Sequence, residues 1–146
     1  MQSLRILAVE DHKGTLDILT SQLEQMGHSC IGVETAEEAL SKLQEKPDDF
    51  DVLLTDWMLP GIDGAELIRK LRTQDREAYL YIMLITVLEE KKAFLEGMDA
   101  GADDYLMKPV DADELRARLG VANRLLSLNE KIASQSKELE ALRAAN

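Results

Sequence analysis

Three carboxylates, a hydroxyl and an ammonium stand directly after four short apolar runs of this 146-residue sequence. Glu10 and Asp11 follow LRILAV (4–9), Asp56 follows DVLLT (51–55), Thr86 follows YLYIMLI (79–85), and Lys108 follows DYLM (104–107) just ahead of Pro109. If the first and third of the chain's strand-like runs are neighbours, the three acids crowd together. Two unit charges 4 Å apart cost ~4 kcal/mol at an effective dielectric of 20. Three anions in one place therefore require a cation or a retained proton. The ligand atoms are hard oxygens, with no His or Cys placed to join them, which points to Mg²⁺, Mn²⁺ or Ca²⁺ rather than zinc. So few protein oxygens favour a partly hydrated Mg²⁺, with Mn²⁺ as the alternative. An ionised aspartate is a competent nucleophile toward phosphorus and yields an aspartyl-phosphate. Lys108, restricted by the following proline, keeps such an aspartate ionised and binds a phosphoryl oxygen as a point charge. The Thr86 hydroxyl can donate to an oxyanion. Singly, each residue has a plainer explanation: a solvated loop acid, a structural threonine, a surface lysine. Together they describe phosphoryl transfer with Asp56 as the acceptor.

The elements that must position these groups alternate. Leu16, Leu19, Leu23 and Met26 have helical spacing over 15–26, and Gly27 suits the stop. CIGV (30–33) is a short strand ending at Glu34. Thr35 and Glu38 form a capping-box pattern ahead of Ala39, Leu40 and Leu43. Helices are also expected over 64–72 and 89–99, the latter ended by Gly101, and Asp111 with Glu114 opens a final one. A strand–helix unit repeated five times, with continuously apolar strands, predicts an α/β fold: a parallel sheet covered on both faces, with right-handed crossovers. Ligands of such sheets bind beyond the carboxyl ends of the strands, where the residues above lie.

Composition narrows the function classes. Apolar residues make up 45%, enough for a core, and net charge is −11 from 17 basic and 28 acidic side chains. That balance disfavours a nucleic-acid surface and an anionic membrane. The longest near-apolar run, Tyr79 to Leu88, is too short to span a bilayer. No signal peptide is visible, and the single cysteine, Cys30, fits a reducing compartment. A soluble cytoplasmic protein is expected.

The last helical pattern is too long for a domain helix, which would end near residue 124. Leu115, Leu119 and Ala122 supply one apolar stripe for the sheet. A second stripe, Val121, Leu125, Leu128, Ile132, Gln135, Leu139 and Leu142, alternates at spacings of four and three, the pattern of a heptad seam. Glu138 and Arg143 flank it where they can pair across a parallel dimer. The expected organisation is a domain over 1–122 and a coiled-coil-like helical extension over 123–146, with a homodimer through the C-terminal helix.

ILAVED (6–11), DWMLPGIDG (56–64), IT (85–86) and GADDYLMKP (101–109) together resemble the receiver domain of two-component response regulators, over residues 4 to about 122. The resemblance implies a doubly wound (βα)₅ fold with strand order 2-1-3-4-5. It implies a phosphorelay function: Asp56 takes a phosphoryl group from a sensor histidine kinase or phosphotransfer protein, and the chain catalyses only its own phosphorylation and dephosphorylation. Asp11, Asp56 and the Met58 backbone carbonyl would hold Mg²⁺ directly, with Glu10 acting through metal-bound water. Thr86 would be the switch hydroxyl and Tyr105 the aromatic that turns inward with it. Lys108 would contact the phosphoryl group, through a cis Lys108–Pro109 peptide. The kinase is expected to dock on the first helix, around Gly14 to Met26. Phosphorylation would bias the surface of the fourth helix, fifth strand and fifth helix.

Two positions depart from the family pattern. Val87 stands where a small residue is usual, and puts phosphate access in question. Met58 and Leu88, both apolar, flank the phosphoryl position and are expected to lengthen the phosphate's lifetime. Two rival functions share part of this pattern. A haloacid-dehalogenase-like phosphatase needs a second Asp two residues after the nucleophile, where Met58 stands. A pseudo-receiver would bind a partner without phosphorylation, although every chemistry-bearing residue is present. LNEKIASQSKELEALRAAN resembles connectors to a diguanylate cyclase domain, but no residue of such an output domain is in the sequence.

Overall fold

The computed structural model describes residues 2–87 and 91–145. Its elements alternate: β1 (Arg5–Val9), α1 (Lys13–Gln25), β2 (Ser29–Val33), α2 (Ala36–Glu45), β3 (Val52–Asp56), α3 (Gly64–Arg72), β4 (Tyr81–Thr86), α4 (Lys91–Ala100), β5 (Asp104–Met107) and α5 (Ala112–Ala145). The five strands form one parallel sheet in the order β2-β1-β3-β4-β5. That is the fold class the sequence predicts.

Alternation along each strand builds two cores. Leu7 and Val9 of β1, Leu53 of β3, and Ile82 and Leu84 of β4 face α2 and α3. Ile6 and Ala8, Val52 and Leu54, and Met83 and Ile85 face α1 and α5. Side chains that point alternately to the two faces of a strand explain why β3 and β4 are apolar throughout. They are buried at every position.

Helix boundaries follow local chemistry. Thr35 accepts a hydrogen bond from the Glu38 N–H and caps α2, Asp63 does the same for α3 through Glu66, and Asp111 for α5 through Glu114. Gly27 and Gly101 end α1 and α4 with φ of 93° and 119°, the left-handed conformation glycine adopts without a Cβ penalty. The expected helix start at Glu89 and Glu90 lies outside the described residues. Strand β4 begins at Tyr81, two residues later than expected. Tyr79 instead donates its phenol to Asp103 and lies under the Arg72 guanidinium. Asp56 and Thr86 are the last residues of their strands, not the first after them. Their backbones are in register with Ile85 and Met107.

Candidate phosphoacceptor site

Adjacent strands bring the acids together, because β1 pairs directly with β3. Ligand oxygens of Glu10, Asp11 and Asp56 lie within 4.8 Å of one another; Glu10 and Asp56 are buried and Asp11 is exposed. Glu34, at the end of edge strand β2, is exposed and takes no part. The Lys108 ammonium donates to Glu10 Oε1 at 2.5 Å and to Asp56 Oδ2 at 2.8 Å. Burial opposes its charge, but the hydrogen bonds it donates to Asp56 and Glu10, with their charges, outweigh that and raise its pKa above the usual lysine value. Lys108 is thus held as a cation. The peptide it makes with Pro109 is cis.

Asp56 is held from behind. Its carbonyl accepts from the Thr55 hydroxyl at 3.1 Å, and the following Trp57 N–H donates to the Ile85 carbonyl at 2.8 Å, extending the β3–β4 ladder past the acid. The Gly64 N–H donates to the Trp57 carbonyl and closes the turn into α3. A Cβ on Gly64 would lie 2.7 Å from the Asp56 carbonyl oxygen, so only glycine lets α3 start this close to the strand. The Trp57 ring is buried in the core on the α3 side. Met58 is 66% exposed, and its N–H lies 3.4 Å from Asp56 Oδ1.

The remaining expected residues surround this edge. Thr86 is buried, and its hydroxyl donates to the Val87 carbonyl at 3.3 Å. Tyr105 is half-buried, edge-on to Phe94 of α4 with ring centroids 4.6 Å apart. Val87 is exposed. Leu88 lies outside the described residues. The sequence pattern gives no sign of a cavity of about 480 Å³ beside Glu10 and Lys108, lined by Ile18, Leu19 and Gln22 of α1 and by Ile85, Pro109 and Val110.

The donor set fits a hard divalent cation: carboxylate oxygens only, with more negative charge than the single ammonium offsets. No described helix is long and apolar enough to cross a membrane.

Comparison with known proteins gives the family and supports the fold. The model of the response regulator receiver domain matches residues 6–120. The phosphate regulon transcriptional regulatory protein PhoB of Pseudomonas aeruginosa is 34% identical over 78% of this chain and 49% of its own length. The chain thus spans about half the length of such curated relatives. A solved response regulator described as putative, from Chloroflexus aurantiacus, is 30% identical with a TM-score of 0.77, covering 83% of this chain and 98% of that one. A solved protein described as a probable two-component system response regulator/GGDEF domain protein is 27% identical with a TM-score of 0.78, covering 85% of this chain and 50% of that one. With the family model matching most of its length, the chain belongs to the response regulator receiver domain family.

Proposed function

We propose that Asp56 accepts a phosphoryl group from the phosphohistidine of a sensor histidine kinase or phosphotransfer protein, in a Mg²⁺-dependent reaction. The observation that carries this reading is the Lys108 ammonium shared between Glu10 and Asp56 at the end of a fully buried strand. An Asp56 carboxylate oxygen attacks phosphorus, the phosphorus–nitrogen bond breaks, and its electron pair stays on the donor imidazole. Lys108, held as a cation, offsets the charge of the attacking carboxylate. Glu10, Asp11 and Asp56, with the Met58 carbonyl, would hold Mg²⁺, which when bound offsets the charge of the phosphoryl oxygens. Lys108 then contacts the transferred group. The Thr86 hydroxyl exchanges the Val87 carbonyl for a phosphoryl oxygen, and Tyr105 turns inward from Phe94. This is a two-state element biased by one covalent charge. The apolar cavity between α1 and the β5–α5 loop, where Ile18 is exposed, is the docking place for the donor helix. Residues 1–122 act as the receiver, and 123–146 carry its state outward.

Intact-mass measurement with a small acyl-phosphate donor and Mg²⁺ tests this. The wild type gains one phosphoryl group and Asp56→Asn gains none. Absence of the gain in the wild type, with Trp57 fluorescence unchanged by donor and Mg²⁺, would favour the pseudo-receiver instead. We further propose that Met58, which is exposed, and Leu88 shield the acyl phosphate from water. Met58→Asn with Leu88→Glu is expected to shorten its lifetime severalfold, and an unchanged lifetime rejects the shielding role.

A further inference from the structure

The outer part of α5 has an apolar stripe that nothing in the described chain covers. Every residue from 127 to 145 is exposed, a projection of about 28 Å at 1.5 Å per residue. Leu125, Leu128, Ile132, Leu139 and Leu142 are 48 to 64% exposed along one side of it. Helix stability in proteins comes mostly from packing such a face. The inner stripe, Leu115, Leu119 and Ala122, is fully buried against the sheet. Val121 precedes Ala122 by one residue, so the two stripes stand about 100° apart around the helix. The receiver body therefore cannot fold back over the outer one.

We propose that the occupant is a second copy of this chain, paired in parallel over residues 121–145. The spacing of four and three is self-complementary and places Leu125, Ile132 and Leu139 at a, and Val121, Leu128, Gln135 and Leu142 at d. The β-branched Ile132 at a, following Leu128 at d, fits two strands. Gln135 decides the orientation. In a parallel pair d meets d, so Gln135 faces Gln135 of the second copy and the two amides hydrogen-bond. In an antiparallel pair d meets a, and every a position is aliphatic, so each amide would be buried unpaired. The antiparallel pair would gain exposed Lys131–Glu138 contacts, but exposed ion pairs return less than an unpaired buried amide costs. The parallel pair also sets Glu138 beside Arg143 of the second copy and creates no like-charge contact at the flanking positions. The pairing rests on no statement about Asp56.

Sedimentation velocity of the whole chain at micromolar concentrations reads the dimer directly. Ile132→Asp with Leu139→Asp is expected to weaken it at least ~100-fold. Both side chains are exposed in the single chain, so an unchanged circular dichroism spectrum of the receiver and unchanged Trp57 fluorescence certify the fold. With Cys30→Ser as background, Leu142→Cys should oxidise to a disulfide-linked dimer, because residue 142 meets its own copy only in the parallel arrangement. Asp56→Asn should dimerise as the wild type does without a phosphoryl donor. A wild type that stays monomeric, or a dimer indifferent to the aspartate substitutions, overturns the pairing. A dimer that Leu142→Cys does not cross-link overturns the parallel orientation.

Discussion

At the amino-terminal ends of β4 and β5, Arg72 meets Asp103 at 2.8 Å; at the carboxyl ends of β1 and β3, Lys108 meets Asp56 at the same distance. The surroundings differ. Arg72 donates also to the carbonyls of Gly101 and Leu80 and to the Tyr79 phenol. Asp103 accepts from Tyr79 and from the Ile82 N–H as well. One cation faces one anion, and spare donors go to the backbone. That cluster ties the end of α3 to the loop between α4 and β5. At the other edge one ammonium serves two buried carboxylates, with a third beside them. A saturated, charge-balanced network stabilises a fold; a site left with excess charge of one sign is ready to bind what lacks that charge.

Removing the cation from each cluster separates the two roles. Arg72→Met is expected to lower unfolding stability by about 2 to 3 kcal/mol in urea titrations, since it leaves Asp103 without its counter-charge. Phosphoryl uptake per folded molecule should persist, and Mg²⁺ should not rescue the loss. Lys108→Met should also destabilise the metal-free protein, but Mg²⁺ should restore much of that while phosphorylation-dependent switching stays lost. Equal rescue of the two variants would erase the distinction. In the wild type, Mg²⁺ at tenfold above its dissociation constant should add about 1.4 kcal/mol to stability, and Asp11→Ala should remove that increment.

The smallest effect is alkaline. Burial, and then the hydrogen bond to Asp103, push the Tyr79 phenol from 10.0 up to about 12. The unfolded chain loses that proton first, so the contribution is complete below pH 10 and is lost as pH rises toward about 12. Tyr79→Phe should therefore flatten the fall in thermal stability over this range without levelling it, because Lys108 and Tyr81 are shifted in the same direction. An unchanged slope would mean that the phenol is not part of the balanced network.

The contrast also explains what could be read from the residues alone. Strand-end acids, Thr86 and Lys108 were legible because a parallel sheet gathers its carboxyl ends on one edge, and short-range pattern is enough to find them. The Arg72–Tyr79–Asp103 network was not legible. Its members are separated by up to 31 positions, and charge pairing across a fold has no local period. Tyr79 read as the start of a strand because its ring counts as apolar, whereas its hydroxyl is engaged outside the ladder. The close seat of Gly64 against the Asp56 carbonyl was equally hidden, since a glycine near a turn has many explanations. The long α5 was legible in full, because heptad spacing is a local pattern.

That helix has a mechanical consequence. Its base is pinned to β5 by Arg118, which grips Asp104 at 2.8 Å and 3.0 Å while holding Glu114 one turn earlier. Tyr105 is the next residue along β5. A tilt of 10° at that base moves the helix tip at Ala145, about 40 Å further along, by about 7 Å. Slight displacements at the base would arrive at the far end as a step of the size of a residue's side chain, so α5 would act as a lever with its fulcrum at Asp104.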